Sequence, residues 1–174
     1  AIKDENGVHM GADSMFWNCY TKTSDNTKMF RKSSCIFGCS GRVRDMDLVE
    51  AFNPPRRYVG QSTKSYLVSD LVPALQRHLE DGGAGVTSSG GRKIWGCDCL
   101  LAIDGRLYYL GGDFVMIERN PYWAVGSGTE TAIGSLHTTE GYDIPTRERL
   151  RLALQAAADL TPYVSGPFIY DQIN

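Results

Sequence analysis

Hydrophobic positions along the chain pass twice from a period of two to a helical period and back, and that order predicts the elements of the fold. AIK and VHMGADSM flank the turn DENG, where Asn6-Gly7 supplies the positive backbone angles of a tight hairpin. MFWNCYTK, KMFRK and SCIFGCSG add short aromatic and β-branched strands, with TSDNT as turn chemistry between them. From Arg42 the period lengthens: Val43, Met46 and Val49 recur at helical spacing until Asn53-Pro54-Pro55 ends the segment. A second helix is predicted over residues 62–80, with Tyr66, Leu67, Leu71, Leu75 and Leu79 as its apolar stripe and a kink or break at Pro73.

Residues 81–92, DGGAGVTSSGGR, read as a flexible surface loop. A second block of strands follows in IWGCDCLLAI, RLYYLGG, DFVMIE and YWAVGS, with Asp104-Gly105 as a hairpin turn. Helices are predicted over 129–138 and 145–160, the latter with Asp143 as N-cap and Leu150, Ala153, Leu154 and Ala157 on one face. PFIYDQI closes the chain as a strand. Strands, two helices, strands, two helices and a strand make an α+β fold of two stacked sheets covered by helices on both outer sides.

Composition narrows the function. A length of 174 residues with 42% hydrophobic content suits one domain spanning 1–174 around one core. Eighteen basic against twenty acidic residues give a net charge of -2, so no long-range field draws the protein to nucleic acid or an acidic membrane. The five cysteines, Cys19, Cys35, Cys39, Cys97 and Cys99, are odd in number and lack disulfide-framework spacing. They are read as reduced, buried thiols of a cytoplasmic protein. No apolar run reaches the roughly 20 residues that cross a bilayer, and AIKDENGVHM has no signal-peptide profile. Cys97 and Cys99 share one strand face with no second pair at ligand spacing, so no metal is expected. Gly126-Ser127-Gly128 lacks the lysine and spacing of a phosphate loop, so no nucleotide cofactor is expected either. His9, His78 and His137 are scattered singles that suggest no histidine triad.

The order and spacing of GVHMGADS, KMF, IFGCSGRVRD, LAIDGRLYYL, AVGSGTETAIGSL and YVSGPF resemble the proteasome β subunit and its simpler bacterial relatives, among them the peptidase subunit of the heat-shock ATP-dependent protease. The resemblance covers nearly the whole chain. It implies a four-layer αββα sandwich, the N-terminal nucleophile hydrolase fold, and hydrolysis of peptide bonds by an N-terminal threonine. A threonine hydroxyl needs a base, and a free α-amino group of pKa about 7.7 to 8.0 serves without histidine. Ala1 precedes Asp13 by a span roughly four residues shorter than the family's nucleophile-to-aspartate distance, so the resemblance implies a short threonine-containing stretch before Ala1.

By the same resemblance, Lys28 is the active-site lysine that lowers the pKa of the nearby amine and hydroxyl, and Asp13 holds it charged and oriented. Gly41, at a strand-to-helix junction, matches the glycine whose N–H forms the oxyanion hole. Ser127 matches the serine that bonds the nucleophile's amino group, and Ser165 a second supporting serine, although the aspartate usual three residues before it falls at Pro162. Phe16, Cys39 and Val43 fall where the family lines the pocket for the residue before the scissile bond, which favours an apolar side chain there. The implied partners are polypeptide substrates, further copies in a homo-oligomeric ring, and an ATP-dependent unfoldase. Two other readings are a non-catalytic ring or scaffold subunit of the same fold, and a small-molecule amidase, against which the compact length argues.

Overall fold

The computed structural model describes residues 1–17, 22–23, 27–84, 87–90 and 92–174, with backbone alone described at 22–23, 87–89 and 92–93. The predicted opening hairpin is β1 (Ile2–Asp4) and β2 (Gly7–Ala12), paired antiparallel in the register Ile2↔His9, Lys3↔Val8, Asp4↔Gly7. β3 (Phe16–Trp17) and β4 (Lys22–Thr23) form a short ribbon, and Cys19 lies outside the described residues, as does most of TSDNT. β5 (Met29–Arg31) and β6 (Cys35–Gly41) follow.

α1 (Val43–Ala51) starts where the period changes and ends before the two prolines. α2 (Thr63–Tyr66) begins at Ser62, whose hydroxyl accepts from the Ser65 N–H, and continues through a π-helical stretch, Leu67–Leu71, into α3 (Val72–Asp81). The kink expected at Pro73 is resolved in this way. Proline removes one N–H and crowds the preceding turn, and widening that turn so that the Val72 N–H bonds the Leu67 carbonyl relieves both. The loop expected over 81–92 is in part a hairpin among the described residues. β7 (Thr87–Ser89) and β8 (Arg92–Ile94) pair as a hairpin, with Gly90 at φ +57° in its turn.

β9 (Cys97–Ile103), β10 (Arg106–Leu110) and β11 (Met116–Arg119) complete the second strand block. YWAVGS is not a strand. It contributes one bridge, Tyr122 to Ile2, beside which Trp123 and Ala1 exchange both backbone hydrogen bonds, and otherwise runs as a loop. α4 (Thr129–Thr138) and α5 (Thr146–Leu160) stand as predicted, except that Pro145 occupies the N-cap of α5 with no side-chain cap, and Asp143 does not. β12 (Ile169–Ile173) returns to pair with β2.

The larger strands assemble into an antiparallel sheet of order β1-β2-β12 and another of order β11-β10-β9-β6-β5. Three buried clusters separate the layers. Val8 and Met10 of the small sheet meet Ile36, Leu100, Ala102 and Leu107 of the large one. The outer face of the large sheet packs Phe37, Cys99 and Leu101 against Val49, Leu71, Leu75 and Leu79 of the first helices. Ile2 packs against Leu136, Leu150 and Ala153 of the last two. Helices, sheet, sheet, helices is the αββα sandwich expected from the element order.

Candidate active site

The end of β2 carries the first candidate pair. Asp13 is 9% exposed, and its Oδ2 accepts from the Met15 N–H at 3.0 Å, which fixes the carboxylate against its own backbone. Its Oδ1 accepts from Lys28 Nζ at 2.8 Å. Both side chains are 12% exposed, so water screens this pair weakly. Phe16 lies under the ammonium, 5.3 Å from ring centroid to Nζ. The Lys28 ammonium makes no second hydrogen bond among the described residues, which leaves donors for whatever stands beside it.

A cleft runs from Ala1 along Met10, Gly11 and Ala12 to Asp13 and Lys28, with Cys39, Ser40 and Ser127 on its walls. It follows the edge of β2 on which β1 pairs only as far as His9, the opposite edge being covered by β12. Ala1 sits at its inner end, 7% exposed, donating to the Trp123 carbonyl at 2.8 Å and accepting from the Trp123 N–H at 3.1 Å. Enclosure of this amine pulls its pKa from 8.0 down to about 5.

Gly41 ends β6. The Cys39 N–H bonds the Lys28 carbonyl on one side, and the Arg42 N–H bonds the Gly96 carbonyl on the other. Alternation along the strand turns the intervening Gly41 N–H to the Lys28 side, beyond the end of β5. Only glycine fits there, since φ is +142° and a Cβ would lie 2.1 Å from the Gly96 carbonyl oxygen. Asp45, in the first turn of α1 and 1% exposed, braces this corner by accepting from the Gly96 N–H at 2.8 Å. Sequence reading placed Asp45 inside a motif and gave it no role. A carboxylate on the third residue of a helix, beside a glycine junction, was the signal.

Gly126 has φ +108°, and a Cβ on it would meet Ser40 Oγ at 2.8 Å, so glycine lets the loop before α4 touch β6. That approach puts Ser127, exposed at the cleft wall, on the same cleft as Lys28. Ser165 reaches the site through its backbone: its carbonyl accepts from the Ser14 N–H at 3.3 Å, while Ser14 Oγ donates to the Pro167 carbonyl at 2.7 Å. Buried Ser14 is thus a second residue that sequence reading passed over. The hydroxyls of Ser127 and Ser165 have no hydrogen-bond partner among the described residues.

The three residues assigned to a substrate pocket separate. Phe16 underlies Lys28, and Cys39 is on the cleft, but Val43 is 45% exposed on the first turn of α1 and is not among the residues lining it. Cys39 is also not a thiol. It faces Cys99 directly across the β6–β9 ladder, Cα to Cα 4.2 Å, and the two form a disulfide, which corrects the expectation of reduced cysteines. Cys35 and Cys97 remain thiols, and burial pushes both up to about 12, too high to supply a thiolate nucleophile at neutral pH. His9 bonds Asp4, and Thr146 donates to the same carboxylate and not to the imidazole, so these three form no nucleophile–base pair. Among the described residues no group of three metal-ligating side chains converges.

No protein-family model and no curated protein matches the sequence. Solved structures do match in shape. BPH from Thiobacillus denitrificans, solved in complex with epoxomicin, superposes with a TM-score of 0.81 at 15% identity over 99% of this chain and 95% of its own. Eukaryotic HslV from Trypanosoma brucei gives 0.68 at 14% identity over 98% and 95%. This is the N-terminal nucleophile hydrolase fold. The Anbu complex from Pseudomonas aeruginosa, a helical assembly, shares it with a TM-score of 0.70 at 14% identity over 99% of this chain and 79% of its own. Identities this low establish the N-terminal nucleophile hydrolase fold and leave the chemistry to the site. No helix of the described residues is long and apolar enough to cross a membrane.

Proposed function

We propose that this chain, residues 1–174 as one domain, is the body of a proteasome-like threonine peptidase subunit, its nucleophile a threonine roughly four residues before Ala1. The observation that carries the reading is the near-buried Lys28–Asp13 pair at the end of a cleft that begins at Ala1. Paired positions in β1 and β2 run in opposite directions from Ile2↔His9, so residues continuing β1 upstream would lie along that cleft. The third and fourth before Ala1 would come opposite Asp13 and Ser14. Ala1 itself is bonded like a residue inside a ladder, in surroundings that disfavour a charged amine.

In this reading the threonine's own amine takes the hydroxyl proton, and Lys28 lowers the pKa of both groups while Asp13 keeps it charged. The Gly41 N–H faces the developing oxyanion, and Ser127 and Ser165 orient the amine. Phe16 and Cys39 belong to the pocket wall for an apolar side chain, and Val43 serves only if that pocket extends past the cleft. Polypeptides are the substrates, and further copies in a ring with an ATP-dependent unfoldase are the partners. The helical assembly of the Anbu neighbour favours assembly of some kind. A cytoplasmic setting belongs to the reading, and the Cys39–Cys99 bridge weighs against it.

The test is cleavage of fluorogenic peptides by a chain carrying the upstream threonine, beside the same chain with that threonine or Lys28 changed to alanine. Turnover should fall at least about 1,000-fold in both variants with assembly retained. Undiminished activity in Lys28→Ala, or none in any assembled form, overturns the peptidase reading; the latter leaves a non-catalytic subunit.

A further inference from the structure

A second cavity, about 510 Å³, lies on the other side of Ser40 and Gly126 from the Lys28 cleft, and Gly41 opens onto it. Its floor holds an arginine in an unusual condition. Arg119, the last residue of β11, stacks on the Trp123 ring at 3.7 Å and lies 5.7 Å from the Tyr109 ring. Its Nε–H is enclosed without an acceptor, and none of its guanidinium N–H groups is hydrogen-bonded among the described residues. Three neighbouring donors already have acceptors. Tyr109 donates its hydroxyl to Asp98 Oδ1 at 2.9 Å, the Gly112 N–H donates to the same oxygen at 3.1 Å, and Trp95 Nε1 donates to the Gly111 carbonyl at 3.0 Å.

A planar cation with five donors and no acceptor, on the wall of a cavity, is costly unless something meets it there. Aromatic stacking fixes its plane and leaves its edge available for a bidentate partner, the geometry that suits a carboxylate. Asp98 does not fill that role: one of its oxygens is committed to Tyr109 and Gly112, and it makes no ion pair with Arg119. We propose that this cavity is a substrate subsite that binds a carboxylate through Arg119, beside the reacting bond at Gly41. The inference rests on the peptidase reading for what the carboxylate belongs to, either an acidic side chain of the polypeptide or its C-terminal end. A phosphate would meet the same donors, but the neighbouring Asp98 disfavours a dianion more than a monoanion.

Binding can be read without turnover, since Trp95 and Trp123 line the cavity and report on it by fluorescence. The probes are three short peptides of otherwise equal sequence: one with an internal glutamate and an amidated end, one neutral with a free carboxyl end, and one neutral and amidated. The intact chain should bind one of the first two at least about tenfold more tightly than the third, and the tighter of them identifies the source of the carboxylate. Arg119→Gln should remove that preference, and Arg119→Lys, which keeps the charge and loses the bidentate edge, should retain only part of it. Equal binding of all three peptides by the unmutated protein overturns the inference, as does a preference that survives Arg119→Gln. A chain that binds with this preference yet cleaves nothing refutes the peptidase reading and leaves the carboxylate site standing.

Discussion

Two nitrogens define the residue scale, and they behave oppositely. Lys28 is held beside a carboxylate whose other oxygen is anchored to its own backbone, so its charge is supported where it stands. The amine of Ala1 has only a carbonyl for company and is enclosed, so its charge is opposed. Its folded pKa of about 5 lies below the 8.0 of an open chain, so between those values the unfolded form binds the extra proton. Stability of a chain whose free amine is at Ala1 should therefore rise as pH goes from about 5 to about 8, by up to about 4 kcal/mol, and be flat above that window. Chemical denaturation across this range measures it. An added upstream stretch turns that amine into an amide, which does not titrate, so with the new terminus acetylated the slope should vanish. A slope that persists in that blocked, extended chain would mean that a group other than the Ala1 amine titrates across this window.

At the scale of elements, the corner joining β6, α1 and β9 sets where the Gly41 N–H points. Three backbone and side-chain contacts close it: Arg42 N–H to Gly96, Gly96 N–H to Asp45, and the Gly41–Gly96 approach that excludes a Cβ. Asp45→Ala strands the Gly96 N–H and should cost about 1 to 3 kcal/mol in denaturant unfolding, with a larger loss of peptidase turnover than that stability change explains. A stability loss with turnover intact would separate Asp45 from the site. The helices and most strands at this scale were legible in the sequence because their apolar pattern is regular: the stripe from Tyr66 to Leu79 is buried, and so is the apolar run of CDCLLAI, a strand covered on both faces. Three features were not. The hairpin at β7 and β8 is built of polar residues and glycine, which carry no burial signal. The strand predicted in YWAVGS shrinks to the pairing of Tyr122 and Trp123 with Ile2 and Ala1, partners from the far end of the chain. The contact between Cys39 and Cys99 depends on strand register, which spacing along one chain cannot express. In the candidate site, the pairing of Asp13 with Lys28 was legible from motifs, while the contacts of Ser14, Asp45 and Arg119 were not, because they arise only when distant segments meet.

The same cysteine pair sets a property of the whole molecule. Between Cys39 and Cys99, 60 residues apart, lie α1, α2, the π-helical turn, α3 and the β7–β8 hairpin, so the bridge closes a loop that contains one entire helical layer of the sandwich. Unfolding the bridged chain leaves that layer tethered, and the loop-closure estimate for this length is about 4 kcal/mol in favour of the folded state. Both sulfurs sit in the core with the β6–β9 ladder already holding them opposite one another, so removing the bond disturbs the native packing little. The gain therefore resides mainly in the unfolded state. Reduction, or Cys39→Ala with Cys99→Ala, should lower the thermal midpoint by roughly 10 °C while the far-ultraviolet circular dichroism of the folded protein stays unchanged. A midpoint indifferent to reductant, with both cysteines alkylated once the chain is denatured, would mean that the pair is held as thiols. That outcome would restore the reducing compartment expected from the cysteine count.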